Sequence, residues 1–335
     1  HGIAKEQLKN DYFFIVPRVS NTITGNARGF QVDENDILIG TDGNDRINGS
    51  PIPFDRFEDG SDILDGGKGD DILNGGDADS PFGGYIYDRY RFNEDFGNDY
   101  VTTFSLDSSG SSNGDYEAQN SDRLEINNIY ASTASEVIDS TSNNDDGWAV
   151  IQLGNNSITL FGISKQELKP DFFHIIPSID NFITGNASGF QVDENDVLIG
   201  TDGNDYIEGS PIPFDRFSDG SDYLEGGKGD DVLIGGTNRN SAGWTEIDTY
   251  HFDDNSGNDL IIGFNVVFRT DYRDIIELKS NINNSGITDF NGVIENTTNN
   301  ADGWAVIDLG ENNSITLHGI SKGNLTLAQE NFQFF

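Results

Sequence analysis

Two stretches constrain this chain more than anything else in it: residues 62–76, DILDGGKGDDILNGG, and residues 222–236, DYLEGGKGDDVLIGG. In both, glycine and aspartate crowd around single aliphatic residues in frames of nine. Written as G-G-x-G-x-D-x-U-x, with U a large aliphatic residue, Gly66-Gly67-Lys68-Gly69-Asp70-Asp71-Ile72-Leu73-Asn74 fits every position. Residues 40–48 fit with one substitution, and the frames recur at 226–234 and 200–208. A tight turn with positive φ needs Gly, because a Cβ would clash there. The short strand x-U-x that follows points U inward, which nominates Leu38, Ile47, Leu64 and Leu73 as core, then Leu198, Ile207, Leu224 and Leu233.

Successive strands of this kind lie on opposite sheets, so alternate turns stack on one edge about 4.8 Å apart. Facing carboxylates and turn carbonyls then offer the six or so hard oxygens that suit Ca²⁺ better than Mg²⁺, which demands a tighter octahedron. Same-edge partners should be eighteen residues apart, yet Asp36–Asp62 and Asp45–Asp71 are each twenty-six apart. One extruded loop around Pro51-Ile52-Pro53-Phe54-Asp55-Arg56-Phe57 removes the excess of eight from both pairs at once. The second copy behaves alike through Asp196/Asp222 and Asp205/Asp231. Two calcium sites per copy are therefore expected, one on each edge.

The candidate ligands of the first copy are Asp33, Asp36, Gly40, Asp42, Gly43, Asn44, Asp45, Asp59, Gly60, Asp62, Gly67, Gly69, Asp70 and Asp71. Those of the second are Asp193, Asp196, Gly200, Asp202, Gly203, Asn204, Asp205, Asp219, Gly220, Asp222, Gly227, Gly229, Asp230 and Asp231. Asp77 and Asp79 offer a third site in the first copy. Arg239 stands at that turn in the second, so the third site is expected to be weak or missing there.

These frames sit inside a longer internal repeat. Residues 21–76 realign on 181–236 with ten differences, and DGWAVIQLG (146–154) realigns on DGWAVIDLG (302–310). The opening HGIAKEQL matches 161–168 and 318–325, so the chain is expected to start partway through a unit. The units read as 1–163 and 164–335, with turn regions at about 33–80 and 193–240. Short apolar or alternating runs between Asn/Asp/Gly clusters make the chain all-β: two tandem parallel β-roll units, each flanked by short, mainly antiparallel strands. Only ISKQEL and TASEVI suggest helical turns.

The turns, followed by Y-x-F…G-N-D, D-R-L-E-I and G-W-A-V-I-Q-L…S-I-T-L-x-G-I, resemble the RTX (hemolysin-type calcium-binding) repeat region of secreted bacterial proteins. The resemblance implies type I secretion in an unfolded, calcium-free state and folding in external calcium.

Composition agrees and excludes. Fifty-eight acidic against 19 basic residues give a charge of −39, which repels nucleic acid and opposes compaction unless cations neutralise it. There is no Cys for disulfides or thiolate zinc sites, and no apolar run long enough to span a membrane. The absence of Met points to a fragment or processed product. No H-E-x-x-H motif surrounds the four His residues, and the G-x-S-x-G match at 110–114 lies in a Ser/Gly loop without strand-turn-helix context. His174, in an apolar run, is expected to pack. Gly-Lys-Gly in the turns lacks the following helix of a phosphate loop.

Trp148 and Trp304 are expected as caps on the roll core, with a sugar-stacking platform as the competing reading. Phe54, Arg56 and Phe57, with Phe214, Arg216 and Phe217, mark a stiff aromatic loop suited to a partner or a neighbouring unit. The expected function is a calcium-binding, non-enzymatic structural module of a secreted or surface protein such as an adhesin, surface layer or matrix component. Two alternatives stand beside it: the secretion and folding region of an enzyme or toxin, and a module that binds glycan or a partner. Head-to-tail assembly of copies is a further expectation.

Overall fold

The computed structural model describes residues 18–25, 27–28, 32–33, 36–49, 61–76, 87–106, 121–185, 195–209, 220–236, 247–266 and 273–335. The chain divides into two compact units, 1–174 and 175–335.

In the first unit the frames wind as a two-sheet roll, because each three- to five-residue strand is followed by a glycine turn that sends the chain to the opposite sheet. One sheet has the order Asn21–Thr24, Asp45–Asn48, Ile72–Asn74, Asn98–Val101, Asn156–Leu160, Ala149–Leu153, Thr141–Asn143. The other runs Phe173–Ile176, Arg123–Asn127, Arg89–Phe92, Ile63–Gly67, Ile37–Thr41. Pairing is parallel through the turn region, with Arg46 opposite Ile72 and Ile37 opposite Ile63. That register is the twenty-six-residue spacing of the paired aspartates; residues 51–57, where an extruded loop is expected, lie outside the described residues. The far end of the seven-stranded sheet is antiparallel: Asn156–Leu160 pairs with Ala149–Leu153, which pairs with Thr141–Asn143.

The second unit repeats both sheets. Tyr206 lies opposite Val232, and Val197 opposite Tyr223, again in parallel. Its hairpin is Ala305–Gly310 with Asn313–Leu317, and Phe332–Phe334 adds the last parallel strand of its five-stranded sheet.

All eight residues nominated as inward lie in the cores: Leu38 and Leu198 are 7% exposed, and Ile47, Leu64, Leu73, Ile207, Leu224 and Leu233 are fully buried. Burying each contributes about 1.5–3 kcal/mol. The flank closes the roll with larger side chains, among them Tyr90, Phe92, Phe96 and Leu124 in the first unit. The two helical hints are present. Thr133 caps the helix Ala134–Asp139 by accepting the Glu136 N–H at 3.2 Å, and Ser164 with Glu167 forms a capping box at the turn Lys165–Glu167. His174 is buried at 3% exposure.

Candidate metal centres

Each frame places its aspartate where a glycine turn enters a strand, and parallel register stacks these aspartates into columns. At the entry to the seven-stranded sheet the column is Asp45, Asp71, Asp99. The Asp45 N–H donates to Asp71 Oδ1 at 2.7 Å, and the Asp71 N–H to Asp99 Oδ1 at 2.8 Å. At the entry to the five-stranded sheet it is Asp36, Asp62, Asp88, Asp122, linked the same way at 2.8, 3.0 and 2.9 Å. The second unit has Asp205, Asp231, Asp259 at 2.8 and 3.0 Å. Its other column is Asp196, Asp222, Asp248, Asp274 at 2.8, 3.0 and 3.3 Å. The four aspartate pairs expected from spacing are thus brought together.

These are buried carboxylates: Asp45, Asp71, Asp205 and Asp231 have no exposed surface, and Asp99 has 1%. One oxygen of each of Asp71, Asp99 and Asp231 accepts the backbone donor, while Oδ2 is buried with no hydrogen-bond partner. A buried charge needs compensation, and one amide does not supply it. The turn glycines leave room beside these oxygens. A Cβ on Gly66 or Gly226 would run into Asp71 Oδ2 or Asp231 Oδ2. A Cβ on Gly40 would meet the Gly66 carbonyl and lie 3.0 Å from Asp45 Oδ2, and Gly200 is placed alike against Gly226 O and Asp205 Oδ2. On the other edge, Gly49 and Gly209 face Asp62 Oδ2 and Asp222 Oδ2 beside the carbonyls of Gly75 and Gly235.

Carboxylate and carbonyl oxygens in one dry space are the donor set of a hard cation. Among the described residues no three carboxylate or imidazole side chains converge on one point, so backbone carbonyls must supply much of any coordination shell. Calcium accepts such a shell, whereas zinc prefers nitrogen and sulfur. The residues present therefore fit calcium.

Neutral groups close the columns. Asn21 Nδ2 donates to Asp45 Oδ1 at 2.7 Å, and the Thr41 N–H and hydroxyl donate to Oδ2 at 2.6 and 2.8 Å. Asn181 and Thr201 do the same for Asp205. On the other edge the buried Tyr90 hydroxyl accepts the Gly75 N–H at 3.1 Å and donates to Thr103 O at 2.6 Å. Tyr250 accepts the Gly235 N–H at 2.9 Å.

The residue before each aspartate takes part in turn stacking. Asn44 Oδ1 accepts the Asp70 N–H at 3.1 Å, and Asp70 Oδ1 accepts the Asn98 N–H at 2.9 Å. Asn204 and Asp230 repeat this at 2.8 Å each. Asp42 and Asp202 are exposed, and Asp202 pairs with Lys228 at 2.7 Å. Gly67, Gly69, Gly220, Gly227 and Gly229 hold positive φ, as turn glycines should; Gly43 and Gly203 lie in the stacked turns under Gly69 and Gly229. Asp33 is described by its backbone alone, in a two-residue strand pairing with Ala27. Asp59, Gly60, Asp77, Asp79, Asp193 and Asp219 lie outside the described residues, as do Phe54, Arg56, Phe57, Phe214, Arg216 and Phe217. Trp148 is half-buried against Phe161 with ring centroids 4.5 Å apart, and Trp304 is buried against His318 at 4.1 Å.

The electrostatics follow from the stacking. Burial, then the neighbouring Asp45 and Asp70 carboxylates, push the Asp71 pKa up to about 7. Burial and the charges of Asp71 and Asp70 push Asp99 up to about 9, and burial with Asp205 and Asp230 pushes Asp231 up to about 7. Burial likewise drives Asp259 well above the ordinary carboxylate range. A carboxyl whose folded pKa is raised favours the fold while protonated. Its contribution is complete below the unfolded value of 3.8 and is lost as pH rises through about 7 to 9. In chelator, the chain should therefore be more ordered near pH 5 than at pH 8, and near-ultraviolet circular dichroism across that range checks it.

Four segments, 32–51, 58–79, 192–211 and 218–241, match the family model of the RTX calcium-binding nonapeptide repeat. No curated protein matches the chain. Among solved structures, the extracellular lipase LipA from Serratia marcescens aligns over 88% of this chain and 39% of its own, at 17% identity and a TM-score of 0.29. The chain thus spans less than half of that protein's length. The matched segments fall on the stacked turns, and the chain carries four RTX calcium-binding nonapeptide repeats, two in each unit.

Proposed function

We propose that this chain is a calcium-stabilised structural module of a secreted or cell-surface protein. The observation that carries this reading is the set of buried aspartate columns, in which Asp71, Asp99 and Asp231 each keep an oxygen without a donor. Asp36/Asp62 and Asp45/Asp71 hold one calcium pair in the first unit, and Asp196/Asp222 and Asp205/Asp231 hold the other in the second. Bound calcium supplies positive charge inside the turns. The chain's own part is to align carboxylates by amide hydrogen bonds, to leave room with glycine, and to exclude water with the inward aliphatic row.

Such a module folds where calcium is plentiful, because an ion that binds only the folded state stabilises it by mass action. With a charge of −39, the calcium-free chain repels itself. That combination suits export in an unfolded state followed by folding outside the cell. No helix among the described residues is long and apolar enough to cross a membrane. Solution scattering tests the reading: the radius of gyration should contract sharply when calcium replaces chelator at neutral pH. An unchanged radius would contradict it.

A further inference from the structure

Two of the chain's four Asn-Gly pairs, Asn48-Gly49 and Asn74-Gly75, stand at the last residues of the first-unit strands Asp45–Asn48 and Ile72–Asn74. Asn-Gly is the pair most prone to lose ammonia, because glycine has no Cβ to shield its nitrogen from the preceding side chain. In that reaction the Gly nitrogen gives up its proton and bonds to the Asn Cγ, the Cγ–Nδ2 bond breaks, and ammonia leaves a five-membered succinimide. Water then opens the ring at either carbonyl, giving aspartate or isoaspartate, and no oxidant or reductant takes part. The roll holds both pairs against that closure. The Gly49 N–H donates to Asn74 O at 2.8 Å, and the Gly75 N–H to the Tyr90 hydroxyl and to Thr103 Oγ1 at 3.1 Å each. The side chains are held as well: Asn74 Nδ2 donates to Asn48 Oδ1 at 2.7 Å, and the Thr103 hydroxyl to Asn74 Oδ1 at 2.7 Å. Gly49 and Gly75 are both buried. Ring closure needs these bonds broken, so it waits on opening of the roll.

We propose that Asn48 and Asn74 are self-modification sites, sealed in the calcium-bound roll and open to deamidation for as long as the chain is without calcium. The proposal rests on the calcium reading of the matched repeats. Isoaspartate adds a backbone carbon between residue 48 or 74 and its glycine, where there is no room for it. A Cβ on Gly49 would run into Asp62 Oδ2, and one on Gly75 into Asp88 Oδ2 with the Tyr90 hydroxyl 2.7 Å away. The lengthened backbone displaces these carboxylates, so a chain modified there does not re-form the first roll. The corresponding turns of the second unit carry Glu208-Gly209 and Ile234-Gly235, in the same parallel register. Isoleucine has no carbonyl to attack, and the Glu208 carboxylate is a poor target for an amide nitrogen. Of the other pairs, Asn291-Gly292 is held in the helix Phe290–Glu295, where the Gly292 N–H donates to Asp289 Oδ1 at 3.0 Å; Asn113-Gly114 lies outside the described residues. Time spent unfolded is thus recorded at the turns of the first unit and not at those of the second.

Peptide mapping by mass spectrometry tests this on the whole chain, aged in calcium or in chelator at neutral pH, with circular dichroism on the same samples. Isoaspartate at positions 48 and 74 should accumulate at least about tenfold faster in chelator, since the folded roll must open first. After ageing in chelator and return to calcium, hydrogen exchange in peptides covering 36–49 and 61–76 should show protection lost in proportion to the modified fraction. Asn48→Glu combined with Asn74→Ile, the residues that the second unit carries, should regain that protection in full after the same treatment. The mapping uses the wild type alone, so it stays decisive if the double variant does not fold. Equal rates of modification in a chain that circular dichroism shows to fold with calcium would overturn this inference alone. Full protection regained by chains modified at 48 or 74 would overturn it as well. If circular dichroism shows no folding with calcium, the reading of the matched repeats fails with it.

Discussion

Asp71→Asn should give opposite results with and without calcium. In chelator at neutral pH the variant should be more ordered than the wild type, because it removes the middle charge of a buried column. Asparagine keeps the Oδ1 that accepts the Asp45 N–H, so the stacking bond survives. In calcium the order reverses. Asp71 is stacked between Asp45 and Asp99, and losing its charge removes a carboxylate from the Asp45/Asp71 site. The midpoint of the calcium titration should rise at least tenfold, corresponding to about 1.4 kcal/mol or more of binding free energy. Asp145→Asn, at an exposed hairpin position, should leave the midpoint unchanged. Circular dichroism at matched calcium concentrations reads both effects. A single direction of change in both conditions would mean that Asp71 is an ordinary structural carboxylate.

The second large effect is expected from backbone rather than charge. Gly69 holds φ +123°, and a Cβ there would lie 2.8–3.0 Å from the backbone of Gly43 and Asn44. Alanine at this position combines forbidden dihedrals with displacement of the turn below it, about 3 kcal/mol or more together. Gly147 provides the contrast: its φ is +86°, but nothing lies within 4 Å of the added atom. Gly147→Ala should cost only the strain of a left-handed residue, about 1–2 kcal/mol. Thermal unfolding in saturating calcium should show the first unit lost or strongly destabilised in Gly69→Ala and slightly shifted in Gly147→Ala. Equal shifts would show that turn stacking does not discriminate between the two sites.

The turn region was readable because its chemistry is local and its period short. Two aspartate pairs share a spacing of twenty-six residues, and the paired registers of Arg46 with Ile72 and Ile37 with Ile63 have that spacing. The inward aliphatic row followed from the same frames. The continuation of the columns was only partly hidden: Asp88 keeps the twenty-six-residue step from Asp62, but no glycine frame marks it. The step changes to twenty-eight residues at Asp99 and thirty-four at Asp122, so no fixed spacing reaches those two. The signal available was an aspartate directly before a short apolar strand, as in D-R-Y-R-F, G-N-D-Y-V and D-R-L-E-I. The closing role of Tyr90 had no local cue, since its hydroxyl meets an amide fifteen residues away that only the roll brings near. Side-chain roles at the residue before each aspartate were equally hidden, because Asn44 and Asp70 differ in charge yet make the same stacking bond.

The central claim is that calcium, rather than packing alone, holds the stacked turns together. Far-ultraviolet circular dichroism against calcium concentration at neutral pH measures it most directly, with chelator reversal and magnesium as the control. The spectrum should be largely unfolded in chelator, gain β signal cooperatively with calcium, reverse fully on chelation, and respond little to magnesium. A β spectrum that is the same with and without calcium would contradict it.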